Sequence, residues 1–581
     1  MKFTSTRDKN IHYSISEALL QGLAPDGGLF VPEKFPQFNI DEFMEIGNLV
    51  DVAHKFLYPF FEDDILQKDL KSVCSNAFNF DLTMRILQNG TNILELFHGP
   101  TGAFKDFGAR FLAQCFGKLK KKITILVATS GDTGSAVASA FHGVHPIEAI
   151  VLYPKDKISN FQEIQLTCWD DNITSIRVDG DFDSCQKLVK QAFSDKEFTN
   201  KFNLTSANSI NIGRLLPQCV YYIFACIKFY QDNHEKASFI IPTGNMGNAM
   251  AAIWVKKMGF PIDKIILSCN ENDVIVKYFQ SGDFEPQPSK PTLANAMDVG
   301  NPSNLERFID LKKMYSDEFD YIEAYSVTDE EIKQTIRKRF TENGELWCPH
   351  TATALRVQDQ IINKQWIIVA TAHPAKFKDI VDPLIGEVIS YPPNLERFLS
   401  LSSNYTDMKA DISVFMQIIN NIDQGILMKK ANRFPKNTKF EKKLGRDVDP
   451  KNSASFHKND ETDKPTGNFV KSFKFPTISE EGKIFLSNKF PFKPMKNLVL
   501  QTTNHMIERM REENVTMEYV SFIFNDKNQG FRSKDKTIVV SRIVKSQEFS
   551  YIVLNNSNNL VTIVKKTSTL PRYINLSRRL W

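Results

Sequence analysis

The 581-residue chain contains no two cysteines in C-x-x-C spacing. Its cysteines (Cys74, Cys115, Cys168, Cys185, Cys219, Cys226, Cys269 and Cys348) are scattered, which supplies neither a zinc-ligand set nor a disulfide framework. Buried free thiols in a reducing compartment are expected, and no metal site. No uninterrupted apolar run is long enough to span a bilayer, so no membrane partner is expected. The opening MKFTSTRDKN lacks the apolar centre of a secretory signal. A cytoplasmic protein is therefore expected, or one imported without an obvious presequence. There is no internal repeat, zinc-finger spacing, RNP motif or long basic helix, so the common sequence marks of nucleic-acid modules are missing. What remains is ordinary for a globular protein: 42% hydrophobic and 24% charged residues, in a chain long enough for several domains.

Charge is spread unevenly. Residues 421–581 hold 30 Lys and Arg against 16 Asp and Glu, a net of +14, whereas residues 1–420 carry a net of −10 and every cysteine. A boundary is expected near residue 420. Residues 1–90 read as helical, with a turn at Pro25-Asp26-Gly27-Gly28. From residue 91 to 420, apolar runs alternate with helical patterns. The strand candidates are TILVAT, EAIVLYP, ITSIRVD, SFIIPTG, KIILSCN and WIIVATA, and such alternation predicts an α/β fold with mostly parallel sheets and helices on both faces. Residues 421–480 are expected to be a flexible linker, Lys-, Asn-, Ser- and Pro-rich from about 430. Residues 481–581 regain apolar runs in KIFLSNKF, MEYVSFIFN, TIVVSRIV, FSYIVL and LVTIV. They predict a basic α+β or β-rich region of four or five strands with one helix near 502–513.

Chemistry concentrates in the stretch ELFHGPTGAFKDFGAR, residues 95–110. Lys105 lies between Phe104 and Phe107, among Gly99, Gly102 and Gly108. A lysine in an apolar pocket loses hydration, its pKa falls, and the free amine can attack an aldehyde. Two further segments follow one plan of strand, glycine-rich turn and helix: ITILVATSGDTGSAVASA at 123–140 and SFIIPTGNMGNAMAA at 238–252. Such turns let backbone N–H groups close on an anion at a helix start. Either turn alone reads equally well as an ordinary βα connection.

Together these residues resemble threonine synthase, a pyridoxal-phosphate family with the tryptophan-synthase β-subunit fold (fold type II), in its longer bacterial and fungal branch. The collinear matches are SEALLQGLAPDGGLFVP (16–32), HGPTGAFKDFGAR (98–110), SGDTG (130–134), ISNFQEIQ (158–165) and DGDFDSCQKLVKQAF (179–193). They continue in NSINIGRLLPQ (208–218), PTGNMGN (242–248), LANAMDVGNPSN (293–304), PHTATA (349–354) and TAHPAKF (371–377). The likeness covers residues 1 to about 420, and the tail resembles no known family.

The resemblance implies pyridoxal 5'-phosphate as cofactor, held as a Schiff base on Lys105. It also implies conversion of O-phospho-L-homoserine and water to L-threonine and phosphate. It places Gly244, Asn245, Met246, Gly247 and Asn248 on the cofactor phosphate and Thr371 on the ring nitrogen. Thr371 can alternatively cap a strand end. Asp132 falls near the ring oxygen or caps a helix. Ser130 and Thr133 take the substrate carboxylate. Asn208, Asn211 and Arg214 are offered to the substrate phosphate, with Arg214 alternatively pairing a surface acid, and Lys155 and Arg110 are weaker candidates for that phosphate. Departures from the family pattern are Gly102, Met246, Asn248 and Cys348, where a larger apolar residue, Phe, Asp and an acid are usual. Two rivals stay open. The same residues serve a phospho-lyase that releases 2-oxobutyrate and ammonia. A protein with a vestigial site could instead bind nucleic acid or anionic surfaces through its basic tail. The family forms monomers or homodimers.

Overall fold

Capping residues set the helix starts of the amino-terminal segment. Ser14 and Glu17 form a reciprocal capping box ahead of the helix Ile15–Gln21. Asn48 accepts from Asp51 N at the start of Leu49–Phe61, which buries Val52, Ala53, Phe56, Leu57, Phe60 and Phe61, an apolar face at helical spacing. The segment is not helical throughout. Strands β1 (Phe3–Ser5) and β2 (Phe30–Pro32) pair antiparallel, and the stretch expected to be helical up to residue 90 contains β3 (Thr83–Ile86). The short β1–β2 pair carries too few residues to show an alternating pattern.

The computed structural model describes residues 1–315, 319–361 and 365–423, and beyond them the backbone of six strands between 478 and 567. Two compact units divide the chain, Met1–Asn437 and Thr438–Trp581.

The first unit contains two further sheets. One has six strands in the order β11-β10-β9-β12-β4-β3. Its members are β3, β4 (Asn92–Glu95), β9 (Ala237–Pro242), β10 (Ile262–Cys269), β11 (Ile322–Ser326) and β12 (Ile367–Ala370). All pairings are parallel except β3 with β4. The other sheet is wholly parallel, in the order β13-β7-β6-β5-β8. It comprises β5 (Ile123–Ala128), β6 (Ile147–Pro154), β7 (Ile173–Asp179), β8 (Leu204–Ser206) and β13 (Thr406–Lys409). Every residue of β5, β9 and β12 is buried, as expected of strands covered by helices on both faces. The α/β, fold-type-II expectation holds, and all six strand candidates form strands. The helices Lys105–Leu119, Asp132–Phe141, Ile212–Asn233 and Gly247–Lys257 pack against one another and contribute to one continuous core.

In parallel sheets the carboxyl ends of strands open toward the ligand side. Lys105 lies beyond the end of β4, Thr371 follows β12 and the GNMGN turn follows β9, and these three strands are neighbours in one sheet. The SGDTG turn follows β5 of the second sheet.

In the second unit β14 (Ile478–Phe485) pairs antiparallel with β15 (Val499–Thr503). A four-stranded antiparallel meander joins β16 (Gln529–Arg532), β17 (Ile538–Ile543), β18 (Phe549–Leu554) and β19 (Leu560–Thr567). The expected linker is helical at its first residues, because the helix Ile412–Asp423 runs into it. Its end belongs to β14, and the rest lies outside the described residues. The helix expected near 502–513 is strand at 502–503 and otherwise lies outside the described residues, as does MEYVSFIFN.

Candidate active site

Lys105 opens the helix Lys105–Leu119. The backbone ahead of it is clipped to the segment after β12. His373 N donates to Gly102 O at 3.0 Å and Phe104 N donates to Thr371 O at 2.9 Å. Asp106 folds the same loop from within: its carboxylate accepts from Thr101 N at 2.8 Å and Thr101 Oγ1 at 2.7 Å. Burial raises the Asp106 carboxyl against those bonds. The Lys105 side chain is 15% exposed, so a small molecule can reach it. Its Nζ lies 5.3 Å from the Phe104 ring centroid and 3.9 Å from Asp132 Oδ2. Burial lowers the pKa of Lys105; Asp132 opposes this, while Lys376 and Arg214 reinforce it.

Asp132 is the first residue of the helix Asp132–Phe141, and Gly131, not Asp132, occupies the capping position. The helix-cap alternative for Asp132 is thus overturned: its carboxylate turns inward. Oδ1 pairs with Lys376 Nζ at 3.0 Å and accepts from Gln162 Nε2 at 3.0 Å. Burial alone would raise this carboxyl, but Lys376, Lys105, His350 and the Gln162 hydrogen bond outweigh it and hold the group below the ordinary carboxylate range. These contacts join the carboxyl ends of the two large sheets. Thr129 Oγ1 shapes the SGDTG turn by accepting from Gly131 N and Gly134 N, and Ser130 and Thr133 are half-buried.

The turn after β9 is braced on several sides. Met246 adopts a left-handed backbone with φ 61°, and the helix Gly247–Lys257 follows. Its first intrahelical bond runs from Met250 N to Met246 O at 2.9 Å, which leaves the N–H groups ahead of it without helical acceptors. A side chain at Gly244 would come within 2.6 Å of Met297 Cα. Asn245 accepts from Ser303 N and donates to Ser209 Oγ. Asn304, itself held by the buried Arg307, donates to Asn245 O. Asn248 accepts from the hydroxyls of Tyr221 and Tyr222 at 2.6 and 2.8 Å.

Thr371 is buried, and its N–H donates to Thr351 Oγ1 at 3.3 Å. His350, in the neighbouring PHTATA segment, accepts from Ala296 N at 3.1 Å. Burial pushes its imidazole down to about 4, with Asp132 opposing.

A family model described as pyridoxal-phosphate dependent enzyme matches residues 93–367. Models of the threonine synthase N terminus and C-terminal region match residues 2–78 and 351–419. The threonine synthase of Escherichia coli (strain K12) is 38% identical over 427 residues, covering 72% of this chain and all of its own. That of Haemophilus influenzae is 40% identical over 405 residues, covering 69% and 95%. The chain belongs to the threonine synthase family of pyridoxal-phosphate dependent enzymes. Among solved structures, the Escherichia coli enzyme superposes with a TM-score of 0.69 at 38% identity, over 73% of this chain and 100% of that one. The pyridoxal-phosphate-bound enzyme of Brucella melitensis gives 0.67 at 31% identity, over 72% and 99%.

The site fits the family's cofactor, pyridoxal phosphate. Among the described residues, Asn208 Oδ1, Arg214 Nε, Asn248 Nδ2 and His350 Nδ1 of the matched segments are buried without a hydrogen-bond partner, and such atoms ask for a bound group or water. The crowding at Gly244 leaves no room for a side chain, so the turn offers backbone there.

Two predicted substrate contacts, Asn211 and Arg110, are corrected, and so is the surface alternative for Arg214. Asn211 does not face a ligand: it caps the helix Ile212–Asn233 by accepting from Gly213 N, and its amide donates to Leu19 O and Ser206 O. Among the described residues, Arg214 pairs no acid. It is 2% exposed, its Nη1 donates to Ala207 O, and burial pulls it down to about 10. Arg110 is committed to Asn76 O, Ala77 O and Asn79 Oδ1. Lys155 is exposed beyond the end of β6, and Asn208 is half-buried, donating to Ala128 O at 3.3 Å. The sequence reading passed over Lys376, Gln162, Gln165 and His350 as functional side chains. Their signal was present, since all four lie in matched segments, but nothing in their spacing assigned a task.

Proposed function

We propose that this family member converts O-phospho-L-homoserine and water to L-threonine and inorganic phosphate. The observation that carries the reading is Lys105, a desolvated lysine at a helix start, facing Asp132 across the junction of two mostly parallel sheets. When bound, pyridoxal phosphate supplies an electron sink for the carbanion formed by loss of the substrate α-proton. Lys105 is the residue that would link to it and then move protons between the substrate's carbon positions. The backbone of Gly244–Asn248 would hold its phosphate, Asp132 its ring oxygen and Thr371 its ring nitrogen. Ser130 and Thr133 would orient the substrate carboxylate, and Asn208 and Arg214, with Lys155 a weaker one, are the remaining candidates for the substrate phosphate. Burial of Lys105 and Asp132 keeps water from competing for those contacts. The enzyme would work in the cytoplasm as a monomer or homodimer, a setting that suits its free cysteine thiols.

Purified enzyme supplied with O-phospho-L-homoserine should release threonine and phosphate in equal amounts. Release of 2-oxobutyrate and ammonia in place of threonine would overturn the synthase reading in favour of the phospho-lyase. Lys105→Ala should abolish either product.

A further inference from the structure

A buried lysine and a half-buried one face the same carboxylate, and counting donors decides which of them carries the proton. Lys376, in the segment after β12, is fully buried. Three oxygens surround its Nζ: Thr101 O at 2.7 Å, Gln165 Oε1 at 2.9 Å and Asp132 Oδ1 at 3.0 Å. An ammonium presents three N–H groups to them. A neutral amine presents two and would turn a lone pair toward the third. The amide orientation is fixed as well, because Gln165 Nε2 donates to Thr101 O at 3.1 Å and so aims Oε1 at Lys376. Lys105 is in the opposite position. Its Nζ lies 3.9 Å from the other Asp132 oxygen, beyond hydrogen-bond reach.

We propose that Lys376 is a positioning residue that keeps the proton of this lysine pair and neutralises Asp132, so that Lys105 stands beside a satisfied carboxylate as a free amine. A single lysine beside a buried aspartate would be drawn into an ion pair and lose its nucleophilicity. A second lysine bound to the same carboxylate removes that attraction. The other ionisable groups around the pair leave the count unchanged. Asp106 spends its oxygens on Thr101. His350 and His373 are each held by burial at about 4 and are neutral at pH 7. Arg214 adds only a like charge near Lys105. The proposal rests on Lys105 being the cofactor-linked amine.

The test uses the full chain without cofactor, pulse-labelled with acetic anhydride between pH 6 and 10, with Lys105 labelling read by peptide mass spectrometry. In the wild type the Lys105 midpoint should fall below the ordinary lysine value of about 10.4. In Lys376→Met it should rise, so that labelling at pH 8 drops about tenfold, the equivalent of one pKa unit. Lys376→Arg, which keeps the cation, should stay near wild type. If Lys376→Met does not fold, Asp132→Asn and the double variant Asp132→Asn/Lys376→Met replace it. The double variant, lacking the second cation, should label at higher pH than Asp132→Asn alone. A wild-type midpoint at or above the ordinary value overturns the proposal. So does a midpoint unmoved by Lys376→Met, or an absence of difference between Asp132→Asn and the double variant. Bound pyridoxal phosphate should protect Lys105 from label in the wild type. Failure of that protection would overturn the assignment of Lys105 itself and is read separately from the Lys376 variants.

Discussion

Gly244→Ala tests the phosphate turn by a single methyl group. The new Cβ would lie 2.6 Å from Met297 Cα and 3.3 Å from Ala296 O and Met297 C. These are backbone atoms and cannot rotate away. Neither side can retreat freely. Thr243 N is bonded to Ser268 O at 2.8 Å, Ala296 N to His350 Nε2 at 3.1 Å and Met297 N to Ala294 O at 2.9 Å. Overpacking of this kind costs about 1–3 kcal/mol. If the turn yields, the cost falls on cofactor binding and weakens it roughly 5- to 150-fold, at about 1.4 kcal/mol per decade. If the Ala294–Met297 segment yields instead, the cost appears as lost stability of the cofactor-free protein. Both are measured on one preparation: cofactor-free enzyme is titrated with pyridoxal phosphate by absorbance, and its unfolding is followed in urea. Gly47→Ala serves as control, since an added Cβ there meets nothing within 4 Å. Wild-type affinity together with wild-type stability in Gly244→Ala would refute the geometry argued for this turn.

Two further outcomes are expected. Asn248→Ala removes the acceptor shared by the buried Tyr221 and Tyr222 hydroxyls and should lower unfolding stability by about 1–3 kcal/mol; an unchanged urea midpoint would contradict the structural role given to that amide. Acid should destabilise the fold early, because the folded state leaves His350 neutral from its ordinary 6.5 down to about 4, whereas the unfolded chain binds that proton below 6.5. The histidine's contribution is complete above pH 6.5 and is lost as pH falls toward 4, with a ceiling of about 3 kcal/mol. Urea midpoints at pH 7, 6 and 5 should fall in sequence, and a flat series would refute it.

What the sequence disclosed followed the strength of local pattern. Fully buried parallel strands are near-continuous apolar runs, so ITILVA and ASFIIP identify β5 and β9. NILE and LTS, the strands β4 and β8, are too short to show a period, and both went unread although β4 leads into the loop that presents Lys105. The reactive lysine was legible because its flanking phenylalanines and glycines are sequence neighbours. Lys376 was not, because its partners Thr101, Asp132 and Gln165 come from three other segments. Asn211 was misread for a related reason: an Asn before a helix reads equally as a cap or a ligand, and only the bonds to Leu19 O and Ser206 O decide. In the tail, LVTIV lies within β19, FSYIVL is β18 and TIVVSRIV contains β17, whereas the short QGFR and VLQTT strands carry no comparable run.

The departures from the family pattern find local reasons in the fold. Gly102 has φ +71°, and a side chain there would approach Leu395 Cδ2 to 2.9 Å, so the loop before Lys105 is shaped around the buried Leu395 where a bulkier residue is usual. Cys348, where the family pattern has an acid, caps the helix Pro349–Gln360, with Thr351 N donating to its Sγ at 3.4 Å. A thiol there is a weaker acceptor than a carboxylate, but it places no charge beside Asp132. That carboxylate already depends on the buried Lys376 for compensation, and burial raises the Cys348 thiol and so keeps it neutral. Asn248 likewise replaces an acid with a neutral acceptor and satisfies two tyrosine hydroxyls without a buried charge. Cys348 and Asn248 therefore change the site in the same direction. Both are neutral where the family pattern has an acid, and Asp132 remains the carboxylate that Lys376 compensates.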